Sequence, residues 1–417
     1  MRARWTWFVL LALAFPCACF ACLWDEDTLE MERQQYPEVH ELIAGHFVRH
    51  SDAYYQWRIG DRTTKSVDQR TPEDYNDIAV AYDKLGEHEK AIETIREKMG
   101  RWPDENLYES EANLGTFLIH SGNFDEGLVH IQRAIEINPE AHFGREIYQQ
   151  LLVQYVIERR AVGAKLPLNP DQEEVDWGDH KPRVAGFAAY VKEKRGDDAK
   201  DGVDAEYARA LKGVLGMVRF GHHDSPILME AVGDLLSASQ PANLLAARAY
   251  LRASYEVDDP ATQEDFRLKA ANAVASQKHP APGKTINAVE AALKDELAQA
   301  DTLAAQIAAD EAKWIANGDR VDEKFSEKYY DNPQLDIAQS QEESNRLASM
   351  HSSDTVLDHN TSSRELGPPR AASIDLAILA VIGLVVFGAV ILLIFVNIKT
   401  KRAWVEFMYE MQNRDRK

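Results

Sequence analysis

Residues 72–141 hold one residue pattern twice, and this repetition constrains the fold more than any other feature of the chain. The first copy runs from Thr71-Pro72 to Pro103 and the second from Tyr108 to Pro139. Gly86 recurs as Gly122, Ala91 as Gly127 and Pro103 as Pro139, all at one common spacing. A repeat of this length marks stacked helical hairpins, each burying its apolar face on its neighbour.

The local signals agree. Thr71 is a good N-cap, Pro72 suits the first helical position, and Asp74 completes a capping-box-like Thr-x-x-Asp. Tyr75, Ile78, Ala79 and Tyr82 form one helical face, Gly86 allows a tight reversal, and Ala91, Ile92 and Ile95 face back. In the second copy Glu111, Leu114, Gly115 and Leu118 lead to Gly122, and Gly127, Ile131 and Ala134 follow. Small residues at 79, 91, 115, 127 and 134 let the helices approach closely.

Tyr75…Ala79…Tyr82…Gly86…Ala91 and the ending Ala134-Ile135-Glu136-Ile137-Asn138-Pro139 resemble the tetratricopeptide repeat (TPR). The departures are a two-residue insertion between the copies, Lys98 where a small residue is usual, and Glu111 where an aromatic is usual. The resemblance implies a concave groove lined by the first helix of each hairpin, taking an extended peptide or a partner's helix. By matched position Glu73, Asn76, Val80, Asp83 and Lys84 would line it in the first copy, and Glu109, Ala112, Thr116, Ile119 and His120 in the second. Some family members clamp C-terminal carboxylates with basic and asparagine side chains. Val80 and Ala112 stand where that clamp needs polar groups, which argues against this ligand type. The stretches Cys22-Leu23-Trp24-Asp25-x-Asp27-Thr28-Leu29 and Arg219-Phe220-Gly221-His222-His223-Asp224-Ser225-Pro226 are similar to segments of exported, membrane-anchored bacterial TPR proteins.

Two copies cannot stand alone as a solenoid, so flanking helices are expected. His142–Arg160 reads as a helix stacking on the second copy, giving a repeat region at 71–160, then a Pro- and Gly-containing loop at 161–183. Residues 184–280 read as degenerate TPR-like helices, with a third hairpin opening at Asp224-Ser225-Pro226. Over 285–330, Ile286, Leu293, Ala300, Ile307 and Trp314 recur every heptad. That pattern fits either a coiled-coil seam, making the protein a homo-oligomer, or a long helix lying on the solenoid. Residues 331–373 are polar and Ser-rich, the composition of a flexible stalk.

Both ends point to a membrane. Arg2 and Arg4, the apolar run from Trp5 to Phe15, and Cys19 and Ala21 before Cys22 read as a signal peptide over 1–21. Cys22 is the candidate for lipidation, although Cys19 and Phe20 fit a lipobox poorly. Leu376–Val396 carries no charge; at about 1.5 Å per residue such a helix reaches roughly 31 Å, the thickness of a bilayer core. A transmembrane helix is therefore expected at 374–397. Lys399, Lys401 and Arg402 favour a cytoplasmic tail at 398–417, with the bulk of the chain outside the cytoplasm on the inner or plasma membrane. The net charge of −21 is concentrated between two basic ends, and such a surface repels phosphate backbones.

Candidates for chemistry are few. Residues 22–70 open with Asp25, Asp27 and Glu30, a set that lacks the spacing of a calcium loop. His46 and His50 would share a helix face, as in a two-histidine metal half-site, but no HExxH surrounds them. His222 and His223 precede a capped helix, and adjacent residues rarely meet one metal. There is no nucleophile elbow, phosphate loop or dinucleotide fingerprint. The sequence thus points to an all-α protein: a TPR-type helical-hairpin solenoid with a long C-terminal helix and a single transmembrane helix. Its expected role is a scaffold for a protein partner, not an enzyme, without cofactor, metal or nucleic acid. The alternatives are a metal-binding ectodomain and an envelope protein self-associating through 285–330.

Overall fold

The computed structural model describes residues 29–330, except 30–31, 34, 140, 170–183, 197–200, 239–241 and 276–284. The leader with Cys22, the acidic set at 25–30, most of the 161–183 loop, the stalk, the apolar segment Leu376–Val396 and the tail lie outside the described residues. Among the described residues there is no strand, and no helix is long and apolar enough to cross a membrane.

The helices are α1 (Val39–Ala44), α2 (Asp52–Thr63), α3 (Pro72–Lys84), α4 (His88–Arg101), α5 (Leu107–His120), α6 (Phe124–Ile137) and α7 (Arg145–Ala161). They continue as α8 (Gly186–Arg195), α9 (Val203–Phe220), α10 (Pro226–Ala238), α11 (Asn243–Tyr255), α12 (Pro260–Ala275), α13 (Ile286–Asn317) and α14 (Val321–Phe325), followed by one π turn at Ser326–Tyr330.

The repeat pair forms two hairpins, α3–α4 and α5–α6. The Thr71 hydroxyl accepts from the Asp74 N–H, and the Asp74 carboxylate accepts from the Thr71 N–H, closing the capping box. Gly86 and Gly122 adopt φ of 75° and 86°, the left-handed conformation that lets each hairpin reverse without a Cβ penalty. Ala79, Ala91, Ile92, Ile95, Leu114, Phe117 and Leu118 form the core between them.

The departures from the family pattern are matched in pairs. Lys98 is fully buried, and its ammonium donates to the Ser110 hydroxyl at 2.8 Å. Buried Glu111 is bonded to the His130 ring at 2.5 Å. Each unusual polar residue has gained the partner that burial demands.

The stack runs on without a break. α7 packs on α6 and α9, α9 on α10, and α10 on α11 in a hairpin where Gly233 lies against the Tyr250 ring. Under this hairpin Lys269 is buried between Glu230 at 2.8 Å and Asp234 at 3.0 Å. Asp234 also accepts from the Tyr250 hydroxyl and the Phe187 N–H, so one charged cluster ties α8, α10, α11 and α12 together. Burial pushes the Asp234 carboxyl upward, while the two carboxylates outweigh burial at Lys269 and hold its pKa above the lysine value.

α13 then turns the open stack into a ring. Its first half packs on α1, α11 and α12, and its second half on α2 and α14; at about 1.5 Å per residue it spans roughly 48 Å. Leu293, Ala300 and Ile307 of the heptad pattern are buried within the chain. The seam is therefore covered by the solenoid, which removes the surface that self-association through 285–330 required. Two fully buried carboxylates lock the helix. Arg248 forks onto Glu296 at 2.9–3.2 Å, with His40 Nε2 2.8 Å away. Glu311 accepts from the Ser51 N–H at 2.9 Å and the Ser51 hydroxyl at 2.5 Å, and lies 2.6 Å from His50 Nδ1.

Two expectations fail on glycines. The helical spacing around His46 and His50 is broken at Gly45, whose φ of 76° ends α1; Ser51 caps α2 afresh. These histidines share no helix face, and the half-site does not exist. The helix expected over 285–330 stops at Gly318, with φ of 70°, so Trp314 meets Tyr329 from a separate turn.

The repeat pattern carries a stability consequence. A Cβ on Gly127 would stand 2.8 Å from Ile119 Cγ1 and 2.9 Å from the Gly115 carbonyl oxygen. Gly127→Ala should therefore cost about 1–3 kcal/mol by overpacking. Gly100→Ala, on a helix with nothing near, should gain about 0.5–1 kcal/mol. Urea unfolding midpoints check both signs.

Glu296 makes a second prediction. Burial works to raise its pKa, but His40 and Arg248 outweigh this and hold it at about 2, against 4.5 ordinarily. The folded value is the lower one, so its stabilisation is complete above the unfolded pKa and is lost as pH falls toward 2. Glu296→Gln should lose less stability than the parent on acidification through that window, measured by urea titrations at successive pH values.

Candidate functional site

The ring borders a cavity of about 1770 Å³ that is partly open to solvent. Its wall is made by the C-terminal halves of α3 and α5, the inner face of α7, the end of α9 with residues 221–225, the start of α10, the segment 46–52 and the second half of α13. Apolar contacts from Val80, Leu152, Val156 and Leu228 mix with Arg49, Arg145, Asp52 and Asp224. Phe220 is 65% exposed, and the Arg145 guanidinium stands over its ring at 5.9 Å.

Of the ten groove residues expected from the sequence, Val80, Asp83, Lys84, Thr116, Ile119 and His120 line this cavity. The other four lie elsewhere. Glu73 accepts a hydrogen bond from Asn106, Asn76 is half-buried, Glu109 is exposed and Ala112 is buried. The division follows from what closes the space. The half-buried Lys84 donates to the carbonyls of Phe220 and Gly221, both at 2.6 Å, pinning the end of α9 to the end of α3. The cavity therefore gathers at the C-terminal ends of α3 and α5 rather than along their whole length. Desolvation pulls the Lys84 pKa below the usual lysine value, although Asp83 and Asp224 oppose it.

One polar cluster stands out on the wall. Buried Asp83 lies 2.9 Å from His88 Nδ1 and 3.0 Å from His120 Nδ1. A carboxylate can only accept, so both ring nitrogens donate. Burial works to raise the Asp83 pKa, but these bonds and the histidine charges hold the carboxyl below its usual range. The His222 ring completes the group, centred 4.5 Å from that of His120 and 6.3 Å from that of His88. Burial, helped by His120, pushes the His222 pKa down.

The vicinal pair His222/His223 does not act together. His223 turns away, edge-on to Phe47 at 6.0 Å, and burial with the nearby Arg49 pushes its pKa down to about 4. Asp83 and His120 are legible as groove positions. Their meeting with His222 is a long-range contact for which the sequence carries no local signal.

The fold and its inner cavity define an all-helical repeat scaffold. Residues 75–97, within the first of the two hairpins, match the sequence model of the tetratricopeptide repeat. No curated protein matches it.

Proposed function

We propose that this protein is a membrane-tethered scaffold that holds a segment of a protein partner in its central cavity, outside the cytoplasm. Tetratricopeptide repeats generally mediate protein–protein interaction. The carrying observation is the cavity itself, about 1770 Å³, well above the roughly 300–1,000 Å³ of ordinary small-molecule sites. Its lining suits an amphipathic peptide or helix: aliphatic side chains and the exposed Phe220 ring for apolar anchors, and the Arg49 guanidinium for acidic groups. The leader-like N-terminus and the uncharged Leu376–Val396 segment support the tethering and its orientation.

A photoreactive benzoyl-phenylalanine at Phe220, a conservative change on an exposed ring, should capture one protein in cells. The same residue at exposed Glu93 on α4, away from the cavity wall, should not. Absence of an adduct at 220, or equal capture at both positions, contradicts the cavity as the binding site. For the tether, in a Cys22→Ser background, Glu93→Cys should react with a membrane-impermeant thiol reagent in spheroplasts and Gln412→Cys should not. The reverse pattern contradicts the orientation.

A further inference from the structure

We propose that Asp83, His120 and His222 bind a divalent late first-row transition metal ion, with zinc as its probe, and that His88 positions the carboxylate. This does not depend on the scaffold reading. The three residues each offer one ligand atom, and these atoms lie within 4.8 Å of one another. Around a tetrahedral ion with bonds of about 2.0–2.1 Å, ligand atoms stand roughly 3.3 Å apart. Asp83 and His120 Nδ1, at 3.0 Å, are close to that spacing, and an ion bound there would release to solvent the proton that Nδ1 now donates to the carboxylate. Only His222 has to close in, and it sits on the short segment between α9 and α10.

The ligand types choose the ion. Two imidazoles and one carboxylate suit zinc and its neighbours rather than calcium or magnesium, which prefer all-oxygen shells. Three protein ligands beside a cavity leave a coordination position open, the arrangement that separates a reactive or ligand-taking site from a closed structural one.

A hydrogen-bonded histidine pair on a buried carboxylate accounts for Asp83, His88 and His120. It leaves the His222 ring without a role: among the described residues it makes no hydrogen bond, and it stands against the imidazoles of His88 and His120. A cation between Asp83, His120 and His222 gives that ring its partner. Lys84 is the opposing charge nearby, and its ammonium is turned to the carbonyls of Phe220 and Gly221. His88, 2.9 Å from the carboxylate, has the place of the outer hydrogen-bond donor that fixes a metal-bound ligand. The ligands come from the ends of α3 and α5 and from the segment after α9, so a bound ion would cross-link the two repeats to the returning part of the ring.

The test is a titration of purified full-length chain, stripped with chelator, with Zn²⁺ by calorimetry and with Co²⁺ by its visible ligand-field bands. One ion per chain is expected, with a tetrahedral or five-coordinate Co²⁺ spectrum and a raised melting temperature. His222→Gln should weaken Zn²⁺ binding about 100-fold or more while the metal-free melting temperature stays unchanged. His88→Gln should weaken it about 10-fold, as an outer positioning group does. His223→Gln should leave affinity unchanged, as should replacing Cys17, Cys19 and Cys22 together by Ser. Asp83→Asn should behave like His222→Gln; if it unfolds, the His222 variant still decides. Absence of stoichiometric Zn²⁺ binding, affinity insensitive to His222→Gln, or affinity lost with the cysteines instead would overturn the proposal.

Discussion

Two buried carboxylates on one long helix hold this structure in its closed form. Glu296 and Glu311 are both fully buried on α13. A carboxylate buried without partners would cost several kcal/mol, so α13 can pack in one register only, where both are satisfied. That register places Glu296 on Arg248 and His40, and Glu311 on Ser51 and His50. One end of α13 thereby meets the late helices of the stack and the other meets α2. A hydrophobic seam alone would allow sliding by a turn. The charged pairs do not, because a shifted register would strand both acids.

The cavity follows from that closure. The repeat pair supplies one wall through the ends of α3 and α5, and Lys84 fixes the end of α9 across from them. An open superhelical groove becomes a partly open cavity whose wall includes residues of α1 and of the closing π turn. The same folding-back brings His222 onto Asp83 and His120. The wall that carries Asp83, His120 and His222 is also the contact between the repeats and the returning segment.

Much of this was legible in the chain and some was not, for reasons that are physical. Thr71, Pro72, Gly86 and Gly122 act through their own backbone, so caps and reversals could be read locally. The spacing of Leu293, Ala300 and Ile307 said that one face of α13 is buried, but periodicity does not say against what. Both a second copy and the solenoid satisfied it, and only the location of Arg248 and Ser51 decides. Gly45 and Gly318 carry no local stop signal, because a single glycine is tolerated in a helix unless the flanking packing favours the left-handed turn. Of the groove positions, Val80 and Thr116 reach the cavity while Glu73 and Glu109 do not. The repeat pattern gives the inner face of each helix but not where along it the space is closed. His222 stands beside His223 in the chain, yet adjacent side chains diverge, and its companions lie on other helices.

The claim on which the rest depends is that α13 is a strap closing the ring rather than a free arm. Hydrogen exchange of the full-length chain, followed by mass spectrometry, tests it directly. Amides between Val289 and Glu311 should exchange as slowly as those of α11, and Arg248→Ala should speed exchange in α13 and α2 while α4 and α6 keep their protection. Rapid exchange throughout α13 in the unaltered chain, with α3 to α7 protected, would contradict it.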